Sequence, residues 1–88
     1  MTWTVRLSKS AAKQLSKAPR DQRDLLFERL DEMAQDPFRG DVKPLKGAEW
    51  LGRYRKRVGR WRIIFIADQK ERLVEVSAIL MRSEKTYR

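Results

Sequence analysis

Between Arg53 and Arg62 the chain reads RYRKRVGRWR, in which six of ten residues are basic and none is acidic. Arginine is the side chain best matched to phosphate, because its planar fork offers parallel donors to two oxygens and its charge is fixed. The basic residues alternate with Tyr54, Val58 and Trp61, and the apolar run Ile63-Ile64-Phe65-Ile66 follows directly. Alternation with aromatic and β-branched residues predicts extended chain, and Gly59 marks a reversal between two strands. Side chains two apart on a strand share a face, so Arg53, Arg55 and Arg57 project together and the return strand brings Arg62 toward them. A hairpin with this many guanidinium groups is built to meet phosphates. Lys56 falls on the opposite face of an ideal strand from Arg55, so a part for it in the same chemistry needs a bulge or twist. Tyr54 and Trp61 have two readings, as core or as platforms on which bases stack, and core is favoured for Trp61.

The formal net charge is +9 and the isoelectric point is near 10.5, a field that draws nucleic acid, acidic lipid or an acidic protein. The charge is unevenly placed. Residues Arg20 to Asp41 hold seven carboxylates against four basic side chains, whereas Arg53 to Arg88 hold eleven basic against four acidic. That distribution favours a site over general solubility. Cysteine and histidine are both absent, which removes thiolate chemistry, disulfides, the usual zinc ligands and the usual general base. No metal or other cofactor is expected. No apolar run approaches the roughly 18 residues of a membrane span and the N-terminus lacks a signal-peptide pattern, so the expected location is the cytoplasm.

Eighty-eight residues predict one domain over 1–88. Thr2 to Leu7 alternates Trp3, Val5 and Leu7 against polar residues and predicts a short strand. Ser8 or Ser10 can cap a helix carrying Ala11, Ala12, Leu15 and Ala18 at helical spacing, and Pro19 ends it or opens the next. The second helix, about Arg20 to Gln35, places Leu26, Leu30, Met33 and Ala34 on one stripe with Phe27 beside it, and Asp36-Pro37 stops it. Phe38 to Leu51 reads as a loop, anchored by Leu45 and Trp50 and carrying Lys43 and Lys46. After the basic hairpin comes a strand over Arg72 to Leu80, with Val74, Val76, Ala78 and Leu80 on one face. The order is β-α-α-β-β-β, an α+β fold in which a helical hairpin packs on one face of a twisted antiparallel sheet.

In this order and spacing the chain resembles the RelE/ParE superfamily of type II toxins, and more specifically its RelE-like branch. The resemblance rests on Lys13, Leu15 and Pro19, on Asp36-Pro37, on Lys43-Pro44-Leu45-Lys46-Gly47, on the hairpin Tyr54 to Phe65, and on Arg82-Ser83-Glu84 before Tyr87. It implies a RelE-like fold and a ribosome-dependent endoribonuclease that cuts mRNA in the A site. It also implies an acidic antitoxin partner that wraps the toxin, with the toxin monomeric when free and hetero-oligomeric with its antitoxin. ParE-like members share the fold, lack the catalytic set and poison DNA gyrase.

RNA cleavage by transesterification needs a base for the 2′-hydroxyl, an acid for the leaving 5′-oxygen and cations on the phosphate. Without histidine, similar enzymes use arginine and lysine clusters with a tyrosine. The resemblance places Arg62 on the scissile phosphate, Arg53 and Arg55 as the basic pair of the preceding strand, and Arg82 as a late arginine. It makes Tyr87 the proposed base or a stacking platform. Arginine is a poor proton carrier, so Arg62 and Arg82 are assigned to charge stabilisation, with Arg55 beside them, and Tyr87 to proton transfer. Arg53, Arg57, Lys43, Lys46, Lys56 and Arg60 are assigned to contacts with mRNA and 16S rRNA in the ribosome. The arginine row also reads as charge for rRNA or antitoxin without a catalytic part. Met81 stands where many relatives carry histidine or lysine, and one extra residue separates Arg82 from Tyr87. A gyrase poison on the same fold is the second reading, and a plain RNA-binding domain the third.

Overall fold

The alternation of Trp3, Val5 and Leu7 becomes β1 (Thr4–Leu7) in the computed structural model, which describes residues 2–47 and 52–81. Ser8 caps α1 (Lys9–Ser16): its backbone is extended and its Oγ accepts from the Ala11 N–H at 3.0 Å. This satisfies one of the donors that a helix start leaves open. Pro19 stands at the N-cap of α2 (Arg20–Gln35), and its carbonyl accepts the Arg23 N–H at 2.7 Å. Leu26, Leu30 and Met33 form the buried stripe of α2, while Phe27 lies beside it half-exposed. Asp36 has left the helix for an extended conformation, as a residue before proline must.

The predicted loop after α2 contains a short strand, β2 (Val42–Pro44). It is followed by β3 (Arg53–Val58), β4 (Trp61–Asp68) and β5 (Leu73–Met81). The five strands form one sheet in the order β1-β5-β4-β3-β2. The antiparallel expectation holds from β5 through β2, whereas β1 joins β5 in parallel, so the sheet is mixed. The direction of a neighbouring strand is not written in a strand's own alternation, which is why the parallel pair was invisible. Leu45 is half-buried beside β2, and Trp50 lies outside the described residues.

The expected single face for Val74, Val76, Ala78 and Leu80 is broken by a β-bulge. Phe65 pairs with Val76 and Ile64 with Ala78, leaving Ser77 as the extra residue. The phase of β5 therefore flips, and the core receives Val74, Val76 and Ile79 in place of Ala78 and Leu80. Residues of α1 and its cap satisfy the backbone there. Ser8 Oγ donates to the Ser77 carbonyl at 2.9 Å, and Gln14 Oε1 accepts from the Ile79 N–H at 2.7 Å.

The helices cover one face of this sheet. Ala11, Leu15, Leu26, Leu30 and Met33 meet Ile63, Phe65, Val74, Val76 and Ile79 in one cluster. An aromatic group closes its end: Tyr54 stacks on Phe65 at 5.6 Å, and Phe38 meets Tyr54 edge-on at 5.1 Å and Trp3 at 6.2 Å. Gln14→Leu keeps the bulk of the side chain but strands the half-buried Ile79 N–H. It should lower stability by about 1–3 kcal/mol, seen as a lower urea midpoint at unchanged m-value.

Candidate nucleic-acid interface

Strand register decides which cations meet. Val58 pairs with Trp61 across a two-residue turn of Gly59 and Arg60, with Gly59 at φ 58°, the position a type II′ turn reserves for glycine. Counting back from that turn, Arg57 lies opposite Arg62, Arg55 opposite Ile64 and Arg53 opposite Ile66. On the other side of β3, Lys43 lies opposite Arg55. Directly paired residues share a face, so Lys43, Arg53, Arg55, Arg57 and Arg62 occupy the face of the sheet away from the helices. Ile64 shares that face, flanked by Arg55 and Ala78, and is nevertheless buried. Arginine stems suit such an apolar floor, because their methylenes can pack against it.

One carboxylate enters this row. Asp41 Oδ1 lies 3.6 Å from Arg55 Nη1, and Asp41 Oδ2 lies 3.8 Å from Arg57 Nε. Both separations are ion-pair contacts too long for hydrogen bonds. The two arginine nitrogens are buried and have no hydrogen-bond partner among the described residues. Arg55 is itself buried, so a nearby opposite charge matters more for it than for a surface arginine. Asp41 is held from behind: its carbonyl accepts the Arg57 N–H at 3.0 Å, and Val42 N–H bonds the Gly40 carbonyl at 3.0 Å. Sequence reasoning missed Asp41, whose partners become visible only through the pairing of β2 with β3.

Arg60 is exposed in the turn, and Lys46 is exposed in the loop after β2. Arg82 and Tyr87 lie outside the described residues. Tyr54 and Trp61 face the helices, where Tyr54 joins the aromatic group and Trp61 Nε1 donates to Gln22 Oε1 at 2.9 Å. The base-stacking alternative is therefore not met by either ring. Among the described residues no group of three or more histidine, cysteine, aspartate or glutamate side chains is placed to hold a metal ion.

The sequence matches the family model of the ParE toxin of type II toxin-antitoxin system, parDE, over residues 5–86. The chain belongs to this family, within the RelE/ParE superfamily of type II toxins. No curated protein sequence matches the toxin. Its fold is that of solved RelE structures. The toxin-antitoxin complex RelBE2 from Mycobacterium tuberculosis is similar at TM-score 0.83 and 24% identity, covering 93% of this chain and 100% of that one. The archaeal RelE-RelB complex from Pyrococcus horikoshii OT3 is similar at TM-score 0.82 and 26% identity, covering 96% and 99%. The isolated Escherichia coli RelE toxin is similar at TM-score 0.77 and 17% identity, covering 96% and 88%.

Lys56 does not join the cationic face of the toxin. Without a bulge in β3 it points toward α2, is buried, and donates from Nζ to the Arg39 carbonyl at 2.6 Å. The expected RNA contact is thus replaced by an internal clasp on the segment that leads to Asp41. Gly40, at φ 88°, makes room for it, since a Cβ there would lie 3.1 Å from Nζ. Burial lowers the Lys56 pKa from the usual 10.5, and the carboxylate of Glu32 pulls it part of the way back. The folded protein therefore releases this proton at lower pH than the unfolded chain. The resulting penalty on folding is present at neutral pH and is relieved as pH rises toward 10.5. Urea midpoints measured against pH should rise more steeply just below that value in wild type than in Lys56→Met.

Proposed function

We propose that this toxin is a ribosome-dependent endoribonuclease that cleaves mRNA in the A site and arrests translation. The observation that supports this reading is the gathering of Lys43, Arg53, Arg55, Arg57 and Arg62 on one face of β2, β3 and β4. In the reaction the 2′-oxygen attacks the adjacent phosphorus, the 5′-oxygen departs, and a 2′,3′-cyclic phosphate remains. Arg62 and Arg82 stabilise the added charge on the phosphoryl oxygens, with Arg55 beside them; Tyr87 takes the proton from the 2′-hydroxyl, and the departing 5′-oxygen gains one to leave as a 5′-hydroxyl. Arg53, Arg57, Arg60, Lys43 and Lys46 hold mRNA and 16S rRNA backbone. The mechanism as proposed uses no metal or cofactor.

Primer extension on an mRNA bound to purified ribosomes should show cuts within A-site codons for wild type. Arg62→Ala should lower cleavage by about 10²-fold or more, the usual cost of removing one charge-stabilising donor. A Tyr87→Phe variant that cuts normally would move proton transfer to another group. The match to a family named for ParE supports a second reading, a toxin that inhibits DNA gyrase without cutting RNA. Growth arrest and DNA damage with intact mRNA would select it.

The complexes from Mycobacterium tuberculosis and Pyrococcus horikoshii are toxin-antitoxin and RelE-RelB assemblies, and we propose an acidic antitoxin for this chain as well. The free toxin is then a monomer in the cytoplasm and the held toxin a hetero-oligomer. Among the described residues no helix is long and apolar enough to cross a membrane. Affinity for the antitoxin should fall as salt is raised toward about 1 M, and constant affinity would remove charge as the main attraction.

A further inference from the structure

The Asp41 carboxylate spans Arg55 and Arg57 with one oxygen toward each, the way two oxygens of a phosphate would span the same pair. Its contacts are loose, at 3.6 and 3.8 Å, and leave Arg55 Nη1 and Arg57 Nε without hydrogen bonds among the described residues. A backbone phosphate, whose two non-bridging oxygens are not tethered to this chain, can move close enough to satisfy donors that a carboxylate on a fixed backbone does not reach. The backbone of Asp41 is fixed by the Arg57 N–H, and the approach to it by the Lys56 clasp on Arg39. Its side chain is about half-exposed, at 46%, and free of hydrogen bonds among the described residues. The carboxylate can therefore rotate into solvent while the strands stay in place.

We propose that Asp41 is a built-in occupant of the phosphate site formed by Arg55 and Arg57, displaced when a backbone phosphate of an RNA strand docks. This rests on reading the arginine face as a phosphate site. In the free protein the carboxylate neutralises the buried Arg55 and aims both guanidinium groups. It also lowers the affinity of the site for stray polyanions. A ligand that reaches Arg53 and Arg62 at the same time gains enough further contacts to displace it, so Asp41 discriminates between a correctly laid strand and an isolated phosphate.

The test is fluorescence anisotropy with purified full-length protein and a labelled single-stranded RNA of about ten nucleotides, long enough to track a cationic groove. Asp41→Asn should bind about two- to fivefold more tightly, the size of a lost partly exposed ion pair. Asp41→Glu, which keeps the charge, should stay near wild type. In Arg57→Ala the gain from Asp41→Asn should shrink, because one of the two groups it competes for is gone. Circular dichroism confirms that each variant is folded, and a misfolded Asp41→Asn is replaced by Asp41→Ser under the same expectation. If Arg55→Ala and Arg57→Ala weaken binding but neutral replacements of Asp41 do not tighten it, Asp41 is only a counter-ion and the inference fails alone. If none of these variants alters RNA binding, the phosphate reading of the face fails with it.

Discussion

Everything at the candidate site depends on a register set by two residues. The turn of Gly59 and Arg60 pairs Val58 with Trp61, and from that pair every other position of β3 and β4 follows. Strand side chains alternate strictly, so a slip of one residue would exchange the faces. Arg53, Arg55 and Arg57 would then be driven into the core, and Tyr54, Lys56 and Val58 into solvent. Three guanidinium groups driven into the apolar core are far more costly than the observed pair of buried cations, Lys56 with a carbonyl partner and Arg55 with a carboxylate nearby, and this difference favours the observed register. The same constraint that protects the core thus assembles the cationic face.

The helices contribute to that face without touching it. Ser8 and Gln14 secure the backbone at Ser77 and Ile79, where β5 changes phase. The change keeps Val76 and Ile79 inside and sends Ala78 and Leu80 to the face that carries Arg62. Small and aliphatic neighbours there give the arginine stems a surface to lie on. On the helix side, Lys56 ties down the segment after α2, and that segment delivers Asp41 to the opposite side. One short stretch of β3 therefore governs both faces through alternate residues.

Much of this was legible from residue order. The helix ending at Asp36-Pro37, the stripe of Leu26, Leu30 and Met33, and the shared face of Arg53, Arg55 and Arg57 each follow from a local rule. The features that escaped are non-local. The bulge at Ser77 arises from side chains on α1, and the strand at Val42–Pro44 is held by β3. The pairing of Asp41 with Arg55 crosses from one strand approach to another. Lys56 was on the correct face by alternation, yet its place among basic neighbours suggested a ligand contact, and only its carbonyl partner at Arg39 reveals the structural role.

The outer margins of the sheet bear on how the molecule behaves in a crowded solution. The sheet ends at β1 and β2, strands of only four and three residues. Pro44 has no N–H to offer a passing chain, and Lys43 beside it repels other copies of so basic a molecule. Short, blunted borders of this kind discourage the edge-to-edge stacking that seeds fibrils. The charge of the sheet face that carries Lys43, Arg53, Arg55, Arg57 and Arg62 acts in the same direction as these clipped rims, turning copies of the chain away from one another.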